Sequence, residues 1–106
     1  MKRGDVWWTS FDPSTGSEIR KTRPAVIVST DVSNTHTRRV SVLPLTSNTS
    51  RVYPAETVVS LNNRLSKVMA DQIGTADKSR LKNFICRLTD AEMAQVDEAI
   101  KLHLGL

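Results

Sequence analysis

The chain has 106 residues, 39% of them hydrophobic and 25% charged, a length that allows one domain and a composition ordinary for a globular one. No apolar run approaches the ~18 residues that a membrane-spanning helix needs; the longest is Pro24 to Val28. The single cysteine, Cys86, excludes an internal disulfide framework and a cysteine-based zinc site. Lys2-Arg3-Gly4-Asp5 leads straight into foldable sequence, so no signal peptide is expected and the location is expected to be cytoplasmic. A core of this size is modest, and self-association would add burial.

Charge is unevenly spread. The formal net charge is +4, from 15 basic and 11 acidic residues. Asp90, Glu92, Asp97 and Glu98 lie in the last stretch with only Lys101 opposing them, and basic residues cluster at Arg20-Lys21-Thr22-Arg23 and Arg38-Arg39. A basic body with a mildly acidic tail suits a polyanion-binding domain. It equally suits a soluble domain with scattered lysines and arginines.

In chain order, Arg3 to Ser10 reads as a strand around the β-formers Val6-Trp7-Trp8-Thr9. Adjacent tryptophans in a strand face opposite ways; one reads as core, and the other as further packing, a cover for a dimer surface or a stacking plane for a base. A loop punctuated by Pro13 and Gly16 runs on through Ile19 to Arg23, a length at which loops tend to be functional. Pro24 to Ser29 reads as a buried strand with proline at its first position. Asp31 to Thr37 is polar and turn-like, with Asp31 as a candidate helix cap. Arg38 to Leu45 alternates, with Val40, Val42 and Pro44 on one face and Arg39, Ser41 and Leu43 on the other. Thr46 to Ser50 is a loop, Ala55 to Val59 a short strand, Leu61 to Leu65 one turn of helix, and Ser66 to Ile73 a weaker strand. Thr75 to Arg80 is a turn or short helix, and Phe84 to Leu88 closes the β region.

Thr89-Asp90-Ala91-Glu92 is a capping box that starts a C-terminal helix. Met93, Val96, Ile100 and Leu104 give that helix its apolar face, and Gly105 is its stop. Short strands with one terminal helix predict a mainly β architecture, a small bent sheet or barrel with the helix packed on it. The whole of 1–106 reads as one domain.

No metal site is visible, because His36 and His103 are far apart and neither has an acidic neighbour at ligand spacing. His36 reads as a solvated turn residue and His103 as a cation at the helix end. Cys86 reads as a buried, inert strand residue. The long loop is the informative part. Ser17, Glu18, Arg20, Lys21 and Arg23 lie close together, and Arg23 stands at a strand entrance, where a rigid element holds it as a phosphate clamp requires. Exposed loop charges would give the same pattern.

Arg3-Gly4-Asp5-Val6-Trp7, Phe11-Asp12-Pro13, Gly16-Ser17-Glu18 and Arg23-Pro24-Ala25-Val26-Ile27-Val28-Ser29 closely resemble the opening of the MazF/PemK (Kid) toxins of bacterial type II toxin–antitoxin systems. The likeness continues at Pro44-Leu45-Thr46-Ser47, Asp71-Gln72-Ile73 and Asp77-Lys78-Ser79-Arg80-Leu81. The resemblance implies an SH3-like β-barrel with a C-terminal helix, working as a homodimer. It implies a sequence-specific endoribonuclease that cuts single-stranded RNA without metal or cofactor and is bound by a cognate acidic antitoxin.

On the same resemblance, Arg23 and Thr46 occupy positions treated as catalytic, and Glu18 one implicated in some members. Ser17, Arg20, Lys21 and Ser47 are the expected RNA-binding residues. Between Glu18 and Arg23 many relatives carry glutamine and small residues, whereas this chain has Ile19-Arg20-Lys21-Thr22. That departure bears on base specificity. The alternative reading is a CcdB-like toxin of the same barrel class that poisons DNA gyrase.

Overall fold

The computed structural model describes residues 1–11 and 21–106. Its strands are β1 (Asp5–Phe11), β2 (Lys21–Ile27), β3 (Arg39–Thr46), β4 (Glu56–Leu61), β5 (Arg64–Met69), β6 (Gly74–Asp77) and β7 (Leu81–Arg87). The helices are α1 (Asp31–His36) and α2 (Asp90–Leu104). All strand pairs are antiparallel, in the order β4-β5-β3-β2-β1-β7, with β6 also paired to β3. The sheet bends around its core but the ladder does not close, since β4 and β7 are not partners. The result is a mostly β protein with a C-terminal helix. Among the described residues no helix is long and apolar enough to cross a membrane.

The bent sheet buries apolar side chains on both faces. One cluster holds Val6, Val26, Leu43, Leu45 and Val68 and is covered by Met93, Val96 and Ala99 of α2. The other holds Ala25, Ile27, Val40, Val42 and Leu81, flanked by Trp7 and Phe11. Alternation along β3 separates Val40 and Val42 from Leu43 as expected, but Leu43 is fully buried because α2 covers its face. Trp7 faces inward and meets Phe84 edge-to-face at 5.8 Å, while Trp8 is exposed.

Arg3-Gly4-Asp5 has a local physical role. Gly4 sits at φ +95°, a conformation that L side chains rarely adopt, so this turn needs glycine. Asp5 is buried, accepts from the Lys2 amide at 2.9 Å and pairs with Arg87 at 3.1 Å. Arg3 donates through Nε to the Val28 carbonyl at 2.8 Å and pairs with Asp97 on α2. The N-terminus is thereby tied to both sheet and helix.

The α2 capping box forms as expected, with Thr89 accepting from the Glu92 amide and Glu92 from the Thr89 amide. Gly105 ends the helix at φ 73°. Leu104, expected on the apolar face, is exposed, and Ala99 takes the buried place instead.

Four sequence expectations are corrected. The segment after β2 is a helix, capped not by Asp31 but by Thr30, whose hydroxyl accepts from Ser33. Asp31 instead accepts from the Arg3 amide at 2.7 Å. Leu61 to Leu65 is not a helical turn but the tip of the β4–β5 hairpin, with Asn62 at φ 49° and Asn63 at φ 71°. Consecutive left-handed residues match the right-handed twist of a two-residue hairpin, and asparagine tolerates them. The weak strand after Ser66 stops at Met69, where a 3₁₀ turn (Ala70–Gln72) begins. Thr75 to Arg80 is β6 followed by a 3₁₀ turn (Lys78–Arg80), because pairing with β3 extends the segment.

The hairpin tip is testable by thermal melts. Asn63→Gly should raise stability by up to ~1 kcal/mol, because glycine takes positive φ freely, and Asn63→Val should lower it by ~1–2 kcal/mol. Indistinguishable melting of the two variants would contradict the strained tip.

Candidate active site

Arg23 lies inside β2, opposite Thr9 of β1, and not ahead of the strand as the sequence suggested. The strand starts earlier because pairing with β1 continues from Val26 back to Lys21. Pro24 is therefore an internal strand residue, opposite Trp8. On the other side of β2, the ladder to β3 stops at the pair Ala25–Pro44. Pro24 lacks the N–H that would bond Leu45 of β3 in the next pair, so pairing ends there.

Arg23 and Thr46 fall in continuing register, two residues beyond that last pair. β3 then passes to a new partner, with Thr46 opposite Lys67 of β5. Thr9, Arg23, Thr46 and Lys67 thus form one row across four strands, with strands ~4.8 Å apart where they pair.

Two grooves meet at this row. The larger, about 860 Å³, is walled by Trp8, Pro24, Leu45, Leu61, Leu65 and Ile85. The smaller, about 430 Å³, is lined by Asn48, Lys67, Met69 and Gln72. Arg23 and Thr46 line both. A mostly apolar groove and a polar one therefore share a cation and a hydroxyl at their junction.

Arg23 is half-buried, and its guanidinium has no hydrogen-bond or ion-pair partner among the described residues. The Thr46 hydroxyl accepts from the Asn48 amide at 3.3 Å, which leaves its own hydrogen for another acceptor. Five N–H donors in a plane, with an O–H that has no acceptor among the described residues, suit the oxygens of a phosphate.

Behind them, Lys67 is buried. Its ammonium donates to the Arg51 carbonyl at 2.7 Å and to Glu56 Oε1 at 2.9 Å, and lies 5.5 Å from the centre of the Tyr53 ring. Burial alone would raise the Glu56 carboxyl, but the Tyr53 amide and the Lys67 ammonium outweigh it and hold the group below its ordinary value.

The other candidates are placed as follows. Ser47 lines the larger groove beside Thr46 and is exposed. Ser17, Glu18 and Arg20 lie outside the described residues, and of Lys21 only the strand backbone is described. His36 lines neither groove; it closes the last turn of α1 and donates through Nδ1 to the Val32 carbonyl at 2.8 Å. His103 is exposed in the last turn of α2. Cys86 is half-buried, and burial together with the Glu92 charge pushes its thiol up, which keeps the reactive thiolate scarce. Among the described residues no three His, Cys, Asp or Glu side chains come together as a metal site would need. Lys67, Asn48 and the hairpin residues Leu61 and Leu65 went unrecognised as groove residues in the sequence. The one available signal is the lysine set between Ser66 and the apolar pair Val68-Met69 of β5.

A family model described as the PemK-like, MazF-like toxin of type II toxin–antitoxin systems matches residues 2–104. The chain belongs to this toxin family. It is 41% identical to a protein named endoribonuclease MazF9 from Mycobacterium tuberculosis, over all of this chain and 98% of that protein. It is 34% identical to endoribonuclease MazF of Staphylococcus saprophyticus, over all of this chain and 92% of that one.

Among solved structures, a mycobacterial endoribonuclease in complex with its cognate antitoxin superposes with a TM-score of 0.83 at 29% identity, covering all of this chain and 96% of its own. MazF from Deinococcus radiodurans gives the same TM-score of 0.83 at 27% identity, with 100% and 97% covered. These likenesses do not favour the CcdB-like alternative.

The Glu56–Lys67 pair makes acid stability a readout of the site. Because the folded carboxyl titrates below its ordinary value of 4.5, its stabilisation is complete above that pH and is lost as pH falls through the lower folded value. Glu56→Gln should make melting temperature less dependent on pH below that point. Lys67→Ala, which leaves a buried carboxylate unpaired, should cost about 3 kcal/mol at pH 7. Equal acid dependence in wild type and Glu56→Gln would show that the pair contributes nothing.

Proposed function

We propose that this toxin is a metal-independent endoribonuclease that cuts single-stranded RNA, acts as a cytoplasmic homodimer of one domain (1–106) and is restrained by an acidic antitoxin. The observation that carries the reading is the meeting of Arg23 and Thr46 at the junction of the two grooves, in a family whose relatives are named endoribonucleases.

The chemistry needs no group beyond the chain and the RNA. The ribose 2′-OH loses its proton to a base and attacks the adjacent phosphorus. The bond to the 5′-oxygen breaks and that oxygen takes up a proton. One product ends in a 2′,3′-cyclic phosphate and the other begins with a 5′-hydroxyl. Negative charge gathers on the non-bridging oxygens, where Arg23 supplies a planar pair of donors and Thr46 a hydroxyl hydrogen.

An arginine stays protonated in proteins and is a poor general base, which leaves Glu18 as the better candidate for that role. Ser17, Arg20, Lys21 and Ser47 hold the flanking RNA. A polar and an apolar groove on either side of the cut suit a single strand whose bases are splayed from its backbone.

Replacing the single ribose at the cut site with deoxyribose should abolish cleavage while leaving binding nearly intact. Arg23→Ala should lower turnover by ~10²–10³-fold, the cost of losing one such donor, and Arg23→Lys should recover little. Thr46→Ser should retain more activity than Thr46→Val. Cutting should persist in EDTA. Efficient cutting of the deoxy-substituted RNA would falsify the mechanism, and gyrase inhibition without RNA cutting would favour the CcdB-like alternative.

The antitoxin contact is electrostatic in this reading. Its affinity should fall as salt rises, and the double change Arg20→Glu and Lys21→Glu should weaken it. A salt-independent complex untouched by those changes would count against an acidic partner at this loop.

A further inference from the structure

Lys67 is the buried lysine of the described residues, and it stands in the row that carries Thr46 and Arg23. Its position is over-determined. The Arg51 carbonyl and Glu56 Oε1 accept two of its three N–H bonds, at 2.7 and 2.9 Å. Glu56 is itself fixed by the Tyr53 amide at 2.8 Å, and the Tyr53 ring flanks the ammonium. The third N–H has no acceptor among the described residues, and Lys67 lines the polar groove with Asn48, Met69 and Gln72.

A lysine beside a phosphate site is ordinarily a phosphate ligand, but Glu56 cancels its charge. The pair brings no net cation to the groove. It brings one oriented donor, next to two carboxamides and a thioether. That set matches the edge and face of a nucleobase better than a phosphate.

We infer that Lys67 is a specificity-determining residue, donating its remaining N–H to the carbonyl edge of a base that flanks the scissile phosphate and sits between Asn48, Met69 and Gln72. Guanine, uracil and cytosine carry such a carbonyl; adenine offers only ring nitrogens, set back from where a carbonyl oxygen projects, so the groove disfavours adenine at that one position. The inference rests on the ribonuclease reading above and adds to it which residue reads the base.

The test is cleavage of a random-sequence RNA pool, with sequencing of the ends. Wild type is compared with Lys67→Met and with the double variant Lys67→Met/Glu56→Gln. The double variant removes both buried charges and so folds even where the single change leaves Glu56 unpaired; thermal melts confirm folding. Wild type should disfavour adenine by ~10-fold or more at one position beside the cut, the scale of a single lost base contact. Both variants should lose that preference and keep the preferences at every other position, whereas a merely structural role would change rate and melting but not the base profile. Folded variants with the wild-type profile, or a wild type indifferent to adenine beside the cut, would overturn the role of Lys67 alone. A wild type that cuts no RNA would overturn the ribonuclease reading as well.

Discussion

One proline decides where this sheet opens. Pro24 lacks the N–H that the next β2–β3 pair would need, and the two strands cease to pair there. β2 stays bound to β1, while β3 turns to β5. The parting leaves Arg23 and Thr46 facing each other across a gap in the middle of a rigid sheet. A strand supplies the stiffness that a clamp for a charged transition state needs, and the missing pairing supplies the room. Both grooves begin at that gap.

Burial near the gap brings its own constraint. Lys67 and Glu56 lie almost wholly out of water, with side chains 11% and 7% exposed. An ion pair in such a place is weak evidence of stabilisation by itself, because desolvating two charges offsets most of their attraction. Its value is geometric. Four groups (the Arg51 carbonyl, the Tyr53 amide, the Glu56 carboxylate and the Lys67 ammonium) fix one another, so the loop before β4 and the floor of the polar groove are set by one network. Loss of one member leaves the others buried and unmatched, and that asymmetry holds the arrangement in place.

The opposite face is closed by different means. α2 lays Met93, Val96 and Ala99 over the larger core cluster, and Glu92 reaches past its own cap to accept from the Ser60 amide of β4 at 2.8 Å. Burial would raise the Glu92 carboxyl, but the Ser60 and Thr89 amides together hold it below its ordinary value. At mid-helix Arg3 binds Asp97, and it also binds the Val28 carbonyl. The helix is thus clamped to the sheet in its first turn and at its middle. The row of Arg23, Thr46 and Lys67 lies on the side of the sheet that α2 leaves open.

The sequence by itself determined what local chemistry controls. The capping box at Thr89, the glycine stop at 105, the terminal helix and the strands around Val6, Val26 and Val42 were legible, because caps and periodicity act over a few residues. Arg23 stood out by its place at a strand entrance, and Thr46 only through family resemblance. Their types are common, and nothing local says that residues 23 positions apart meet. Tertiary structure decided the rest. Pairing with β1 drew Arg23 into a strand, and pairing with β5 turned Leu61 to Leu65 into a hairpin in place of a helical turn. Lys67 became a buried groove residue because strand order set it beside Thr46. Antiparallel register is a property of two segments at once, so no reading of either segment alone contains it.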